Sequence, residues 1–154
     1  MLSSVVGVAR ELATAGGLGE RVTFQQLGVE QLEDAESFDV VTMNIVLHEL
    51  PPAIRPQGMR AMCRALRPEG VLISNDFLYP NRREDFRAPE YALGVFDQAQ
   101  ELAWGSRHLS QDQLQALFLE SGFARCEFRY VPLPFPALVR PGSPVGYLTA
   151  LAYK

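Results

Sequence analysis

Apolar residues near the start of the chain recur at helical spacing. They follow Ser3 and Ser4 and give way to Gly16 and Gly17. A stripe that repeats every three or four positions predicts an amphipathic helix, and glycine is typical of the residue just after a last turn. The predicted stripe consists of Val5, Val8, Ala9, Leu12 and Ala13.

Short apolar runs farther along the chain predict strands. Residues 21–24 form a short run with two β-branched residues, and an acidic loop follows them. Phe38–Asn44 is apolar at successive positions, as expected of a strand in a parallel sheet with helices on both faces. Residues 71–77 have the same character and predict another buried strand.

Helical patterns separate these strands. An apolar face predicts a helix before residue 67, and residues 67–70 ("RPEG") predict the turn that closes it. Ser110 and Gln113 form a capping-box pattern ahead of a further helix, which Gly122 ends. The face of the first of these helices consists of Met59, Met62, Cys63 and Leu66.

The C-terminal part of the chain predicts two final strands, at residues 125–133 and 146–153. The proline-rich connection between them favours a long hairpin over a crossover helix. Residues 78–107 are less regular and partly helical in their second half, so we expect an insertion or lid over one end of the sheet. No repeat or linker divides the chain, which predicts a single domain over residues 1–154. We expect this domain to be a partial one.

This order of elements predicts an α/β fold whose last two strands are antiparallel neighbours. In such sheets the ligand binds outside the carboxyl ends of the strands. Asn44 and His48 come where one buried strand ends, and Asn75, Asp76 and Tyr79 come where the next one ends. We therefore expect these polar groups to share one rim of the sheet.

Composition narrows the classes of function. The net charge of -4 gives no basic face for nucleic acid, and no apolar run approaches the roughly 18 residues of a membrane span. The chain is expected to be cytoplasmic, without a nucleic-acid or membrane partner. Cys63 and Cys126 predict neither a disulfide framework nor a zinc site. His48 and Glu49 are not a zinc motif, since Pro52 stands where HExxH needs a histidine; we expect no metal.

Several blocks in sequence order carry a family resemblance. Together the series resembles a class I S-adenosylmethionine-dependent methyltransferase of the small-molecule type, and the blocks from "FDVV" through "RALRPEGVLI" are the most specific. The resemblance implies a partial Rossmann-like methyltransferase sheet flanked by helices, with a C-terminal antiparallel strand pair. It also implies S-adenosylmethionine as cofactor and a small-molecule substrate. The blocks are "VARELATAGGLGERVTF", "FDVVTMNIVLHELP", "MRAMCRALRPEGVLISNDF", "LSQDQLQALFLESGF" and "GYLTALAYK".

Two cofactor-binding features of that family are missing from this sequence. The family has a glycine-rich turn after its first strand and an acidic residue ending its second strand. Here the glycine cluster at residues 16–19 follows a helix and precedes a predicted strand, so it predicts a helix end. The chain therefore resembles the later two-thirds of the enzyme, truncated at its N-terminus. We expect it to bind cofactor poorly alone, because methyl transfer depends on positioning.

The missing strands would lie beside Phe38–Asn44 in the family's sheet. We therefore expect this strand to have an open edge, and an exposed edge invites another chain. A separate N-terminal half or a homodimer could fill it.

The resemblance implies two places for the cofactor. Gly28 and Val29 follow residues 21–24, where the family commonly has a glycine and an acid near the adenine. Val29 departs from that acid, and Glu30 either replaces it or is a surface acid. Asn44 and Ile45 match the strand end that borders the cofactor, although Asn44 could instead cap the strand.

The candidate catalytic residue is His48. A neutral imidazole near pH 7 could deprotonate the acceptor during methyl transfer, or His48 could line the site as a structural residue. Asp76 and Tyr79 are predicted to face the substrate.

Charged and aromatic residues around the predicted insertion allow two interpretations each. Arg82 and Arg83 could attract an acidic substrate or form a solvated pair. Trp104, with Tyr91 and Phe96, predicts an apolar lid over a small substrate, with a packed helix as the alternative.

Three hypotheses account for these features. The first is a methyltransferase acting on a small molecule. The second is a non-catalytic binding partner or pseudoenzyme half that complements a separate N-terminal chain. The third is a nucleotide-binding oxidoreductase, the weakest because the sequence lacks fingerprint glycines and a place for a pyrophosphate.

Overall fold

A four-stranded mixed sheet organises the protein. The computed structural model describes residues 2–132 and 146–154, and these form an α/β fold, as predicted. Short 3-10 turns occupy several of the connections. The helices are α1 (Leu2–Ala15), α2 (Arg55–Ala65), α3 (Ala92–Glu101) and α4 (Gln111–Glu120), and the strands are β1 (Phe38–Asn44), β2 (Leu66–Phe77), β3 (Arg125–Pro132) and β4 (Gly146–Tyr153).

The strands lie in the order β1-β2-β4-β3. β1 and β2 are parallel, and β4 runs antiparallel to both of its neighbours. The predicted C-terminal antiparallel pair is therefore confirmed, while its proline-rich connection falls in residues 133–145, outside the described residues. Asn44 lies opposite Asn75, so β1 and β2 end side by side.

α2 and α4 cover one face of the sheet. Met59, Met62 and Cys63 of the predicted helix face are buried there, and so are Leu114 and Phe118 of α4. Leu66, predicted on the same helix face, is instead the first residue of β2 and is buried there. Ser110 and Gln113 form the predicted capping box at the start of α4, and Gly122, with a φ of 104°, follows its end. The core consists of Met43, Leu47, Met59, Met62, Cys63, Leu66, Leu72, Leu114, Phe118, Phe123, Leu148, Ala150 and Ala152.

In the part of the chain that the structure describes, the opposite face of β1 is largely exposed, where the sequence predicts helices on both faces of this strand. Phe38 and Val40 are exposed, whereas Met43, pointing to the other face, is buried. β1 pairs only with β2 among the described strands, so its other edge is open, as predicted. β1 therefore has more apolar side chains than the described part of the chain buries.

α1 forms where the sequence predicts, but its apolar stripe does not pack. Val5, Val8 and Leu12 are exposed, and Ala13 is the buried member of the stripe. Gly17 follows the helix with a φ of 70°, in agreement with the predicted end.

Two local predictions were wrong. Residues 21–24 form no strand, because no neighbouring strand supplies the ladder hydrogen bonds that a β run needs. Residues 67–70 belong to β2 instead of forming a separate turn. The pairing with β1 is irregular there, and Glu69 adopts a φ of 65°.

Residues 78–107 are partly helical in their second half, as predicted, through α3. Gly94 lets α3 approach the end of β2 closely, because a Cβ at this position would lie 2.4 Å from the carbonyl oxygen of Leu78. Whether the segment is an insertion or lid stays a prediction.

In the described ranges, 2–132 and 146–154, the structure has no helix long and apolar enough to cross a membrane.

Candidate active site

The carboxyl ends of β1 and β2 are joined by hydrogen bonds. The side chain of Asn75 donates to Oδ1 of Asn44 at 3.2 Å, and the backbone N–H of Ile45 donates to the carbonyl of Asn75 at 2.8 Å. Ile45 has a φ of 53°, a left-handed conformation that costs energy for a β-branched residue. The chain therefore leaves β1 in a sharp, strained turn toward His48.

His48 lies in a short 3-10 turn, Leu47–Glu49, which the side chain of Arg55 holds in place. The guanidinium of Arg55 donates to the carbonyls of His48, Leu50 and Arg107 at 2.7 to 2.9 Å. Arg55 is itself buried. This single side chain ties the 3-10 turn to α2 and to the segment before α4.

Asp76 holds His48 in one orientation. The two are respectively 6% and 2% exposed. Nδ1 of His48 lies 2.7 Å from Oδ1 of Asp76, and the backbone N–H of His48 donates to Oδ2 at 3.3 Å. Because a carboxylate only accepts, Nδ1 carries the proton, which leaves Nε2 as the nitrogen that can accept one.

The two groups shift each other's protonation. Burial by itself lowers the pKa of His48, but the hydrogen bond and charge of Asp76 outweigh burial and raise it above 6.5. Burial likewise favours a raised pKa for Asp76, yet the imidazole of His108 once it carries a proton on Nδ1, the imidazole of His48 and the backbone N–H of Phe77 lower it to about 2. Asp76 is therefore an anion inside the protein at neutral pH.

Two further carboxylates lie near the imidazole of His48. Oε1 of Glu49, a largely exposed side chain, lies 3.6 Å from Nε2. A carboxylate oxygen of Glu101 lies within 4.8 Å of a ring nitrogen of His48 and of the Glu49 carboxylate, and Oε2 of Glu101 is buried without a hydrogen-bond partner among the described residues. The imidazole of His48 thus lies among negatively charged groups.

A second histidine completes the cluster. His108 is 5% exposed and stacks on His48 with 4.3 Å between ring centroids. Its Nε2 lies 2.8 Å from Oδ2 of Asp97, and its Nδ1 lies 3.6 Å from Oδ1 of Asp76. His108 lies in the connection before α4, and neither it nor Asp97 was predicted as a site residue from the sequence. Only the position of His108 just before a capped helix could have suggested burial.

The structure brings some predicted site residues to this cluster and not others. Asp76 contacts His48, and both of its carboxylate oxygens accept hydrogen bonds, from His48 and from the backbone N–H of Phe77. Tyr79 stacks on His108, at 5.8 Å between centroids. Trp104 is 84% exposed and joins no aromatic pair with the site among the described residues.

Gly28 and Val29 lie beside α2. A Cβ at Gly58 would meet Val29 at 2.7 Å, so the side chain of Val29 packs against α2. A Cβ at Gly28 would lie 2.3 Å from the carboxylate of Glu30, which occupies the space next to this glycine. The roles predicted for these residues and for Asn44, Ile45, Tyr79 and Trp104 stay predictions.

An open cavity of about 1040 Å³ adjoins the cluster at Tyr79. Its lining contains three arginine side chains and one carboxylate, that of Glu84. The arginines are Arg82, Arg83 and Arg87.

Two groups of side chains have the composition of metal sites. His48, Asp76 and His108 form one group, and His48, Glu49 and Glu101 form the other. Nδ1 of His48 is committed to Asp76 at 2.7 Å, the length of a charge-assisted hydrogen bond, so the first group is arranged for proton sharing.

Comparisons with known proteins agree with the fold. Residues 2–70 match a family model described as a methyltransferase domain. Mitomycin 7-O-methyltransferase MmcR is 22% identical over 98% of this chain, with a TM-score of 0.71. The 1,6-didemethyltoxoflavin N1-methyltransferase of Burkholderia thailandensis, solved with 1,6-didemethyltoxoflavin and S-adenosylhomocysteine, is 20% identical over 93% of the chain, with a TM-score of 0.63. The [4+2]-cyclase SpnF is 18% identical over 97%, with a TM-score of 0.67. A search of curated proteins found no match.

The match over residues 2–70 and the fold shared with solved methyltransferases agree with the resemblance to class I S-adenosylmethionine-dependent methyltransferases that the sequence carries. The chain spans 40% of the length of MmcR, 55% of the Burkholderia enzyme and 62% of SpnF.

The described residues fit S-adenosylmethionine in part. Asn44 and Ile45 present an amide and a strained backbone at the end of β1, whereas the side chain of Val29 is packed against α2 and the carboxylate of Glu30 lies next to Gly28. In the ranges that the structure describes, the connections from β1 to α2 and from β2 to α3 contain no glycine, so neither supplies a glycine-rich turn for the methionine end of the cofactor.

Proposed function

We propose that this chain contributes to S-adenosylmethionine-dependent methyl transfer to a small molecule, with His48 as the general base. The observation that carries this proposal is the 2.7 Å contact between His48 and Asp76 at the end of β2. A buried carboxylate fixes the tautomer that leaves Nε2 free, which is what a base needs before it can accept a proton.

The chain's own residues would act in a defined order. Asp76 and the Arg55-anchored turn hold the imidazole still, and Nε2 takes the proton that a hydroxyl or amine loses when it attacks. S-adenosylmethionine, when bound, supplies an electrophilic methyl group. The imidazolium that forms on His48 is stabilised by Asp76, since its positive charge faces a buried anion.

The proposed binding residues follow the same rim. Gly28, Val29, Asn44 and Ile45 would contact the cofactor. Tyr79 and Trp104 would contact the substrate, and Asp76 would act on it only through His48. A soluble, cytoplasmic setting is part of the same proposal.

We further propose that the 154 residues alone hold the cofactor weakly and that another polypeptide segment covers the open side of the sheet. The exposed side chains of Phe38 and Val40, together with the exposed stripe of α1, support this part. A complementary N-terminal half or a second copy of the chain could cover them. The same surface supports the alternative function, a non-catalytic half that serves to bind such a partner.

Calorimetric titration with S-adenosylmethionine tests the proposal. The chain is titrated alone and again with any polypeptide encoded immediately upstream. Weak or no heat from the chain alone and tight binding by the pair would support a shared methyltransferase. Tight binding by the chain alone would support the catalytic role and contradict the need for a partner. No binding in either arrangement would contradict the catalytic role and favour the binding-partner alternative.

A further inference from the structure

Two buried imidazoles share one buried carboxylate in this protein. Oδ1 of Asp76 lies 2.7 Å from Nδ1 of His48 and 3.6 Å from Nδ1 of His108. The two rings stack at 4.3 Å between centroids, with 31° between their planes. A charge on either ring therefore acts on the other ring at close range.

His108 is held in place by two residues of α3. Its backbone N–H donates to Oε1 of Gln98 at 2.7 Å, and the same buried amide donates to the carbonyl of Ser106. Its Nε2 lies 2.8 Å from Oδ2 of Asp97. Because both anchors come from α3, the position of His108 depends on that helix.

These contacts determine what Nδ1 of His108 can do. Since the carboxylate of Asp97 only accepts, Nε2 carries a proton, and a neutral His108 must then have a bare Nδ1. That nitrogen has no hydrogen-bond partner among the described residues and faces the oxygen of Asp76. A second proton on His108 would turn this repulsion into an attraction, and His108 would then compete with His48 for Asp76.

We propose that His108 and Asp97 are positioning residues that act on the proton-accepting imidazole of His48 through Asp76. This inference deepens the proposed function and rests on it for its role in methyl transfer. His108, when charged, draws Asp76 away from His48 and repels a charge on the stacked ring. His48 then gives up its proton more readily and returns to the neutral form that a base requires.

Other charged groups also face the pair. Glu49 and Glu101 lie near Nε2 of His48, and Arg55 and the exposed Arg107 lie behind its carbonyl. The phenol of Tyr79 stacks on His108. These groups are the same in wild type and in the His108 variant. The effect of His108 on the pKa of His48 is therefore the difference between the two proteins.

The test is a pH titration of the ¹⁵N-labelled full chain, read from its imidazole resonances without any cofactor. The chain has two histidines, so each substitution assigns the other resonance. In His108→Gln, the titration midpoint of His48 should rise by about one pH unit, the size typical of coupled sites. Gln100→Ala, a change at an exposed position of α3, should leave the midpoint of His48 in place.

The wild-type chain gives a second measurement that needs no variant. If the histidines are coupled, the titration curve of His48 departs from that of a single independent site. A single simple curve for His48, or a midpoint that His108→Gln leaves in place, would overturn the proposal. Since no cofactor is present, failure here is distinct from failure to bind S-adenosylmethionine.

Discussion

His48 and Asp76 are 28 positions apart in the sequence and lie 2.7 Å apart in the structure, Nδ1 to Oδ1. The contact exists because β1 and β2 are parallel and end side by side, with Asn44 opposite Asn75. Asp76 comes one residue after the last pair between β1 and β2, and His48 lies in the turn that follows β1. Both are at the edge where open α/β sheets bind their ligands.

Asp76→Asn should destabilise the protein and make His48 easier to deprotonate. The change removes the buried anion that His48 and the N–H of Phe77 contact, and the loss should be about 2 kcal/mol in the free energy of unfolding. Urea unfolding measures this loss. Asp39→Asn is the matched control: Asp39 pairs with Arg67 on the surface, and its loss should cost less than about 1 kcal/mol. Equal effects of the two substitutions would contradict the assignment of Asp76 as a buried structural anion.

Stability should depend on pH in two windows. The pKa of Asp76 is lowered from 3.8 to about 2 in the folded protein, so its contribution is present above about pH 4 and is lost as the pH falls through 2. The pKa of His48 is raised above 6.5, so its contribution is complete below that pH and is lost as the pH rises through the raised value. Unfolding free energies across the pH range measure both windows. In Asp76→Asn the acid window should shrink, and an unchanged acid profile would contradict this account.

Gly94→Ala should disturb both stability and the site. An added methyl group would lie 2.4 Å from the carbonyl oxygen of Leu78, so α3 must move. The expected cost is about 1–3 kcal/mol, as for other overpacked positions. The displacement should also shift the imidazole resonance of His108, because α3 carries Asp97. Gly7→Ala is the control, since nothing lies within 4 Å of a Cβ there and alanine favours a helix. A Gly94→Ala protein as stable as wild type would contradict the close approach.

The sequence predicts this molecule well where a pattern is local. The capping box of Ser110, the glycine after α1 and the C-terminal strand pair all follow from neighbouring residues. The rim was predictable too, since parallel strands end together. His108 and Asp97 were not, because their burial depends on how α3 packs against the end of β2. The exposure of Val40 could not be predicted either, since an apolar strand has the same sequence whether or not its face is covered.

Val40→Lys should leave the stability of the chain within about 0.5 kcal/mol of wild type, because the side chain already faces solvent. Val41→Lys, one position along, should be strongly destabilising, since Val41 packs against the core on the other face. Thermal unfolding compares the two. If a polypeptide partner covers the open face, Val40→Lys should also weaken its binding. A large loss of stability in Val40→Lys would show that this face is covered within the chain itself.

Titration of the ¹⁵N-labelled chain with S-adenosylhomocysteine shows whether the ends of β1 and β2 bind the cofactor, since chemical shifts detect even weak binding. The perturbed backbone signals should cluster at Val29, Asn44, Ile45 and His48. Perturbations confined to the arginine-lined cavity beside Tyr79, with the strand-end signals unmoved, would contradict cofactor binding at these strand ends.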